Sequence, residues 1–312
     1  MMNPMLRLVS AFALCFSVVT GATAKETITV TVVDDKKQPI ALEVPYMPTR
    51  IAALNFTTVD ILDQLGLGDR IVGMTKSSAV PAHLKKYADN PNIVNLGSMK
   101  EIDMEALMSL QPDVIFSSDR TVRQYKLFSM IAPTVASFVE YQNGFFQGFA
   151  ANAKLHGEIF GQQAHVQAQL DGFTARINAM KSKAQSQSAM LGLFTGGSLK
   201  VLGDKGRMSL ITNDIGFNNL ADGVNVNHGN NASYELFVKL NPDYVFILDK
   251  DVAVGRNSNS AKELLDNELF KQTRAHQTQR MVFLEPGDTW YVADGGFKAL
   301  DMMLGNIEAV MN

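Results

Sequence analysis

Polar and apolar residues alternate strictly at the start of the chain, where residues 27–33 are Thr-Ile-Thr-Val-Thr-Val-Val. An alternation with a period of two is typical of a strand with one buried face. Four charged residues, 34–37, then interrupt the pattern, and a second apolar stretch covers residues 40–44. This arrangement predicts an N-terminal β-hairpin.

Short apolar runs alternate with segments of helical period along residues 50–138. The sequence predicts strands at residues 50–54, 71–74, 114–117 and 134–138, and helices at residues 57–65, 82–88, 104–110 and 125–130. Alternation of strands and helices is typical of a mostly parallel sheet covered by helices. We therefore expect a first α/β lobe over residues 25–143.

Residues 144–187 contain no proline, and no glycine beyond Gly172. Their large apolar residues recur at mostly helical spacing. A continuous helix of this length would span about 60 Å, more than one lobe. The pattern predicts a linking helix over residues 144–187, with Gly157 and Gly161 as the positions at which it could break.

The pattern of strands and helices resumes in the second half of the chain. Strands are predicted at residues 189–194, 199–202 and 281–284, a helix near 209–215, and a final helix over 297–310. These elements define a second lobe over residues 188–312.

One motif occurs in both halves, at residues 105–116 and again 130 residues later at 235–246. Glutamate, leucine, Pro-Asp and phenylalanine hold the same offsets in a unit of helix, Pro-Asp stop and apolar strand. A repeat of this length predicts two similar Rossmann-like α/β lobes rather than a solenoid. Ligands of open α/β sheets bind beyond the carboxyl ends of the strands, so we expect a cleft between the lobes. A chance likeness between two helix–proline–strand units is the alternative.

The first 24 residues have the features of a signal peptide. Arg7 precedes an apolar stretch at residues 8–19, which is too short to span a bilayer, and residues 22–24 form an Ala-Thr-Ala cleavage site. Cys15 raises lipidation as an alternative, although Leu14 stands where a small residue is required. Cleavage would leave a chain without cysteine, which suits an exported protein in the periplasm.

The charge of the chain argues against nucleic acid as a partner. The formal net charge is −3, and it becomes −4 when Arg7 is removed. A net negative charge disfavours binding to the polyanionic backbone of nucleic acids. Beyond the signal peptide no segment approaches the roughly 18 unbroken apolar residues of a membrane helix, so we expect a protein that is not embedded in the membrane.

Several candidate binding residues follow predicted strands. Arg120 and Arg256 come after the two copies of the repeated strand, and Arg207 lies in a turn-rich stretch of the second lobe. Arginine stays charged and offers a planar fork of donors that suits anionic oxygens. His228 lies in a polar loop, and Tyr291 follows the strand at residues 281–284. For each residue taken alone, a surface or packing role is the alternative.

Several enzyme signatures do not occur in the chain. It contains no Gly-x-Ser-x-Gly elbow, no His-Glu-x-x-His and no Walker-type loop ending in Lys-Ser or Lys-Thr. The glycines at residues 196–206 resemble a phosphate loop only weakly, and a hairpin turn explains them equally well.

Taken together, these motifs resemble the periplasmic solute-binding proteins of ABC importers for ferric siderophores, haem and cobalamin. The resemblance covers essentially the whole mature chain. It rests on the strand after Pro48-Thr49-Arg50, the helix–Pro-Asp–strand unit of both lobes, and the linking helix. It implies a binding protein of two lobes that is not an enzyme and acts as a monomer.

Within that family the chain is most similar to members that bind ferric catecholates. Those members carry arginines that match Arg120, Arg207 and Arg256, and a histidine and a tyrosine that can ligate iron and match His228 and Tyr291. Arg123 is the alternative to Arg120, but the spacing to the Ala-Pro-Thr at residues 132–134 favours Arg120.

The resemblance also implies the ligand and the partner. Iron would enter as Fe(III) within the siderophore, with no permanently bound cofactor, and Trp290 is placed with the ligand-binding residues. Glu105 and Glu235 match the glutamates with which family members grip the two subunits of an inner-membrane permease. A favourable interaction of each carboxylate with its own helix dipole is the alternative.

Two other functions remain as alternatives. The first is haem binding by the same fold, with Tyr291 or His228 as the axial ligand. The second is a metal-dependent hydrolase, which would need a cluster of histidine and carboxylate ligands.

Overall fold

The computed structural model describes residues 26–222, 234–256 and 261–311. The alternating start of the chain forms the predicted hairpin, in which β1 (Thr27–Val33) pairs antiparallel with β2 (Pro39–Pro45). Val30 and Val32 are buried, as their period requires. Asp34 closes the turn, because its carboxylate accepts hydrogen bonds from backbone N–H groups two and four residues later. The predicted signal peptide and His228 lie outside the described residues.

The first lobe is built on a five-stranded parallel sheet with the strand order β5-β4-β3-β6-β7. Its elements are β3 (Ile51–Ala53), α1 (Phe56–Gln64), β4 (Ile71–Met74), α2 (Lys85–Ala88), β5 (Val94–Asn95), α3 (Met104–Leu110), β6 (Val114–Ser117), α4 (Tyr125–Ser129) and β7 (Thr134–Ala136), with 3-10 turns at Gly68–Arg70, Ala82–Leu84, Val122–Gln124 and Tyr141–Asn143.

The linking segment forms two helices, α5 (Phe145–Ile159) and α6 (Gln163–Ala184). The break at residues 160–162 includes Gly161, one of the two positions at which the sequence allowed the linking helix to break. Gly161 has a φ of +62°, and a Cβ atom there would lie 2.4 Å from the hydroxyl of Tyr46. The break thus combines a left-handed backbone with a close approach from the hairpin, which glycine alone tolerates well. The long helix is α6, at about 33 Å.

The second lobe contains a parallel sheet with the order β10-β8-β11-β12, and β9 pairs antiparallel with β8. Its elements are β8 (Ser188–Thr195), β9 (Ser198–Leu202), a π-helical turn (Leu210–Asp214), β10 (Asn218–Asn219), α7 (Tyr234–Leu240), β11 (Tyr244–Asp249), α8 (Lys250–Ala253), α9 (Ala261–Leu265), α10 (Glu268–Lys271), α11 (Arg274–Gln277), β12 (Met281–Phe283), α12 (Gly287–Tyr291) and α13 (Phe297–Met311).

The repeated motif has the same structure in both lobes. In each copy a seven-residue helix, α3 or α7, precedes a parallel strand, β6 or β11. The aspartate of each Pro-Asp reaches the start of the neighbouring strand. Asp113 accepts hydrogen bonds from the backbone N–H groups of Thr49 and Arg50, both at 3.0 Å, before β3. Asp243 accepts one from the N–H of Ser188 at 2.9 Å, at the start of β8. The motif therefore aligns the two paired strands of each sheet.

The two lobes share a hydrophobic core. Three phenylalanines from α5, α6 and α13 meet there, with ring centroids 5.9 Å apart for Phe149 and Phe173 and 5.7 Å apart for Phe149 and Phe297. The pairs cross edge to face, an arrangement that aromatic rings favour. The C-terminal helix α13 therefore packs against the linking helices rather than within the second lobe alone.

Two carboxylates cap helices that belong to other parts of the chain. Asp60 on α1 accepts hydrogen bonds from the backbone N–H groups of Lys298 and Ala299 at the start of α13, at 2.9 and 3.0 Å. Asp214 of the second lobe accepts one from the N–H of Phe146 at the start of α5, at 3.2 Å. Helix N-termini carry unsatisfied N–H groups and a positive dipole end, so a carboxylate is favourable there. These caps set the orientation of the lobes.

We expect Asp243→Asn to lower stability in a pH-dependent way. Burial opposes ionisation of Asp243, but hydrogen bonds from Ser188 and Arg274 outweigh it and lower the pKa from 3.8 to about 2. The unfolded chain therefore takes up this proton first. The contribution is present above about pH 4 and is lost as the pH falls towards 2.

Chemical denaturation should give a loss of about 1–2 kcal/mol at neutral pH, which shrinks in acid. Asp171→Asn, which removes an exposed carboxylate on α6, is the matched control and should show neither effect. A pH-independent loss in Asp243→Asn would contradict the assignment.

Candidate ligand-binding cleft

A cavity of about 490 Å³ lies between the lobes, where strands of both sheets end. Among the described residues, its lining contains four cationic side chains and no carboxylate. Lys100 and Arg120 come from the first lobe, and Lys250 and Arg256 come from the second. Ser77, Ser78, Ala79, Ser98, Met99, Val254, Tyr291 and Val292 complete the lining. The positions agree with the expected cleft beyond the carboxyl ends of parallel strands.

A smaller cavity of about 40 Å³ adjoins the first, and both are lined by Arg120 and Tyr291. The smaller cavity is polar and also contains residues of both lobes, among them Tyr141, Arg207 and Asp294. The ring of Tyr291 therefore borders both the open cavity and this inner one.

Three cations surround the ring of Tyr291, which ends α12. The guanidinium carbon of Arg207 lies 4.4 Å from the ring centroid, that of Arg120 lies 5.6 Å away, and the Nζ of Lys250 lies 5.7 Å away. Cations at these distances are attracted to the face of an aromatic ring. They also create a positive potential for any anion that approaches the phenol oxygen.

Arg207 is held from one side by groups of its own lobe. Its Nη1 donates to the carbonyl oxygens of Tyr291 at 2.6 Å and Trp290 at 3.2 Å, and it lies 3.5 Å from a carboxylate oxygen of Asp294. Burial works to lower the pKa of Arg207, but the nearby Asp294 and other groups outweigh burial and raise it. Arg207 therefore stays charged, and it fixes the backbone that carries Tyr291.

Asp294 and Tyr141 join this arrangement across the lobes. The hydroxyl of Tyr141 donates to Asp294 at 2.5 Å. Burial raises the pKa of the Asp294 carboxyl, although the positive charge of Arg207 opposes the shift. Burial, and then the charge of Asp294, raise the pKa of Tyr141 well above its usual value, so this phenol stays protonated.

Arg256 follows α8 and extends into the cavity with its side chain 61% exposed. It pairs with Asp251 at 3.1 Å. Asp251 is buried and also accepts a hydrogen bond from the backbone N–H of Gly196. The pair restrains Arg256 at the edge of the second lobe and offsets part of its charge.

The structure brings together most of the residues that the sequence singled out. Arg120, Arg256 and Tyr291 line the larger cavity, and Arg207 lines the adjoining one. Arg123, the alternative to Arg120, lies in an exposed 3-10 turn and lines neither cavity.

Trp290 does not fit its predicted role as a ligand contact. Its side chain is 0% exposed, and its indole N–H donates to Asn306 on α13 at 2.9 Å. Within the short helix α12 the two neighbouring side chains point in different directions, so Tyr291 faces the cleft and Trp290 faces the core.

The two repeated glutamates lie on equivalent helices outside the cleft. Glu105 is exposed in the first turn of α3. Glu235 lies in α7, but its side chain falls outside the described part of the chain. Neither the structure of these helices nor the cleft itself identifies a partner for them.

Two cleft residues were missed by the sequence analysis, Lys100 and Lys250. Lys100 follows the two-residue strand β5, which is too short to give a hydrophobic pattern. A signal for Lys250 did exist, because it lies 130 residues after Arg120, the period of the repeat.

Within the described ranges, no three histidine, cysteine or carboxylate side chains are grouped so that they could hold a metal ion. Over the same part of the chain, no helix is both long and apolar enough to cross a membrane.

Comparison with known proteins gives the family. Residues 51–286 match the periplasmic binding protein family. The chain belongs to that family. Members of this family and the relatives described below are binding proteins.

Three relatives of this periplasmic binding protein illustrate the likeness. The petrobactin-binding protein YclQ of Bacillus subtilis is 31% identical over 289 residues, which covers 92% of this chain and 89% of YclQ. The crystal structure of YclQ superposes with a TM-score of 0.83 at 30% identity, and covers 92% of this chain and 99% of its own.

The ferric-anguibactin-binding protein FatB of Vibrio anguillarum is 29% identical over 269 residues, or 83% of this chain and 81% of FatB. The periplasmic catecholate-siderophore binding protein VctP of Vibrio cholerae superposes with a TM-score of 0.81 at 26% identity, and covers 90% of this chain and 100% of its own.

We expect Trp290→Phe to weaken the fold of this periplasmic binding protein without weakening ligand binding. The change removes the hydrogen bond to Asn306 and leaves a small cavity, which should cost about 1–3 kcal/mol in denaturation experiments. The affinity for a ferric chelate, followed by absorbance, should match that of the wild type. Tyr291→Phe, one residue later and facing the cleft, is the control that should alter binding. Weaker ligand binding by a stable Trp290→Phe variant would contradict this prediction and support a role for Trp290 in the ligand site.

Proposed function

We propose that this protein binds a ferric catecholate-type siderophore in the cleft and delivers it to an inner-membrane ABC importer, with no chemical turnover. The observation that carries the proposal is the set of cations from both lobes that line one cavity around Tyr291, where the described part of the lining contains no carboxylate. The wider features of the proposal are a signal peptide cleaved after Ala24, residence in the periplasm and action as a monomer.

The charges fit a ferric catecholate. Catecholate oxygens are anionic, and hard Fe(III) prefers such donors, so the complex carries a net negative charge. Arg120 and Arg256 approach from opposite lobes, and each can donate several hydrogen bonds to anionic oxygens. Binding would bring the two guanidinium groups close to the anionic chelate in a partly enclosed site, where the attraction between opposite charges is stronger than in water.

Tyr291 offers a direct bond to iron. A bis-catecholate fills only four of six positions around Fe(III), so two ligands can come from the protein. Tyr291 borders the cavity, and three neighbouring cations lie 4.4 to 5.7 Å from its ring centroid, where they can attract the anionic chelate. By resemblance, His228 would supply the second ligand. In this scheme Fe(III) is cargo and the protein needs no resident cofactor.

The names of the relatives support this class of ligand, because VctP is named as a catecholate-siderophore binding protein, FatB as a ferric-anguibactin-binding protein and YclQ as a petrobactin-binding protein. The cavity is less suited to haem, because four cations and three serines line it rather than an apolar slot for a porphyrin.

Binding of a ferric bis-catecholate by the wild-type protein should produce a visible charge-transfer band with a tyrosinate contribution. Tyr291→Phe should shift that band and weaken binding, because one iron ligand is lost. Absorbance titration with ferric bis- and tris-catecholates, a ferric hydroxamate and haem would test both the ligand class and the role of Tyr291. An unchanged spectrum and affinity in Tyr291→Phe would show that Tyr291 is not an iron ligand. Binding of haem alone, seen as a Soret band, would favour haem as the ligand.

The repeated glutamates should act in delivery rather than in binding. Glu105 and Glu235 lie on equivalent helices of the two lobes, so they could contact two equivalent permease subunits. We expect the double variant Glu105→Ala/Glu235→Ala to keep its affinity for the siderophore but lose uptake in cells, since charges at the rim of an interface act mainly on association. Asp171→Ala, an exposed acid on α6, is the control. Normal uptake by the double variant at a normal protein level would leave only a helix-capping role.

A further inference from the structure

The internal repeat extends beyond the strands into the cleft. Asp119-Arg120 follows β6, and Asp249-Lys250 occupies the same offset 130 residues later, at the end of β11. The two strands hold equivalent places in their sheets, since β6 pairs with β3 and β11 pairs with β8. Lys250 rather than Arg256 is therefore the counterpart of Arg120 in the second lobe.

The two counterparts meet at one side chain. The guanidinium carbon of Arg120 and the Nζ of Lys250 lie 5.6 and 5.7 Å from the ring centroid of Tyr291, although they come from opposite lobes. Both line the larger cavity. A ligand that covers the Tyr291 ring is therefore within reach of both charges.

Arg120 and Lys250 differ from Arg207 and Arg256 in whether they form ion pairs with carboxylates. Arg207 lies within ion-pair distance of Asp294, and Arg256 pairs with Asp251. Across residues 26–222, 234–256 and 261–311, no ion pair is formed by Arg120, Lys250 or Lys100. Like charges that converge on one cavity repel each other, and an anion relieves that repulsion.

We propose that Lys250 is an anion-binding residue of the cleft and the counterpart of Arg120 in the repeat. Together with Lys100, it selects strongly anionic iron chelates over neutral ones. This inference rests on the proposed function and specifies the charge class of its ligand. The chelate should present anionic oxygens on both sides of Tyr291, one side to each lobe. A lysine suits this role as a compact charge on a flexible stem, opposite the planar fork of Arg120.

The test uses the full-length mature protein and two probes, the ferric complex of a synthetic bis-catecholamide and the neutral ferric complex of a trihydroxamate. Lys250→Met removes the charge and keeps the length of the side chain, and Lys250→Arg restores the charge. Lys183→Met is the matched control, because Lys183 is exposed at the end of α6, near the amino-terminal edge of the second sheet. Circular dichroism should confirm that all variants are folded.

We expect Lys250→Met to bind the catecholate about tenfold more weakly at low salt, the lower end for hydrogen bonds to charged groups. The difference should shrink at high salt, because screening weakens the lost attraction. Lys250→Arg should restore affinity, and Lys183→Met should match the wild type. The preference for the catecholate over the neutral trihydroxamate should fall only in Lys250→Met.

Two results would overturn the inference, and only the second would also overturn the proposed function. Wild-type affinity and salt dependence in Lys250→Met, while the wild type binds the catecholate, would reject the role of Lys250 and leave the proposed function standing. Failure of the wild type and all variants to bind any ferric catecholate would reject the proposed function together with the inference.

Discussion

The carboxylates of the repeated Pro-Asp motif align the central strands of both sheets, and the composition of the cleft follows from that alignment. Asp113 fixes the start of β3 beside β6, and Asp243 fixes the start of β8 beside β11. The strands of each pair run parallel, so the residues that follow their carboxyl ends lie along the same edge of the sheet. Arg120 and Lys250 follow two such strands and reach one tyrosine from opposite lobes. The hydrogen bonds that these aspartates accept at the amino-terminal edge of each sheet thus help to position the side chains that line the cleft.

The position of the lobes relative to each other depends on carboxylates that cap helices. Asp60 of the first lobe caps α13 of the second lobe, Asp214 of the second lobe caps the linking helix α5, and the phenylalanines of α5, α6 and α13 form a common core. Burying a carboxylate is costly unless hydrogen bonds compensate it, and the free N–H groups of a helix start provide that compensation. A cleft built between lobes that share a core is organised before a ligand arrives, which reduces the entropy lost on binding.

The cleft contrasts with the protein as a whole. The chain is slightly acidic, yet the residues that the structure describes around the larger cavity include four cations and no carboxylate. Two carboxylates near the site interact with its cations, since Asp294 borders Arg207 and Asp251 pairs with Arg256. Tyr291 lies at the centre because Arg207 binds its carbonyl while three cations flank its ring. The charge that a ligand meets is therefore positive from both lobes.

The sequence by itself determined the kinds of elements, the two lobes and much of the cleft. Hydrophobic period is a local property, so α3 and β6 begin and end where the pattern predicts, and the repeat indicated which strand ends face the cleft. Tertiary structure decided what depends on distant partners. Tyr46 of the hairpin approaches Gly161 where the linking helix breaks, and Asn306 on α13 draws Trp290 into the core. The pairing of Arg207 with Asp294 and the meeting of Lys250 with Arg120 also join residues far apart in sequence. A local hydrophobic pattern does not reveal such contacts, because they form only when distant parts of the chain fold and pack together.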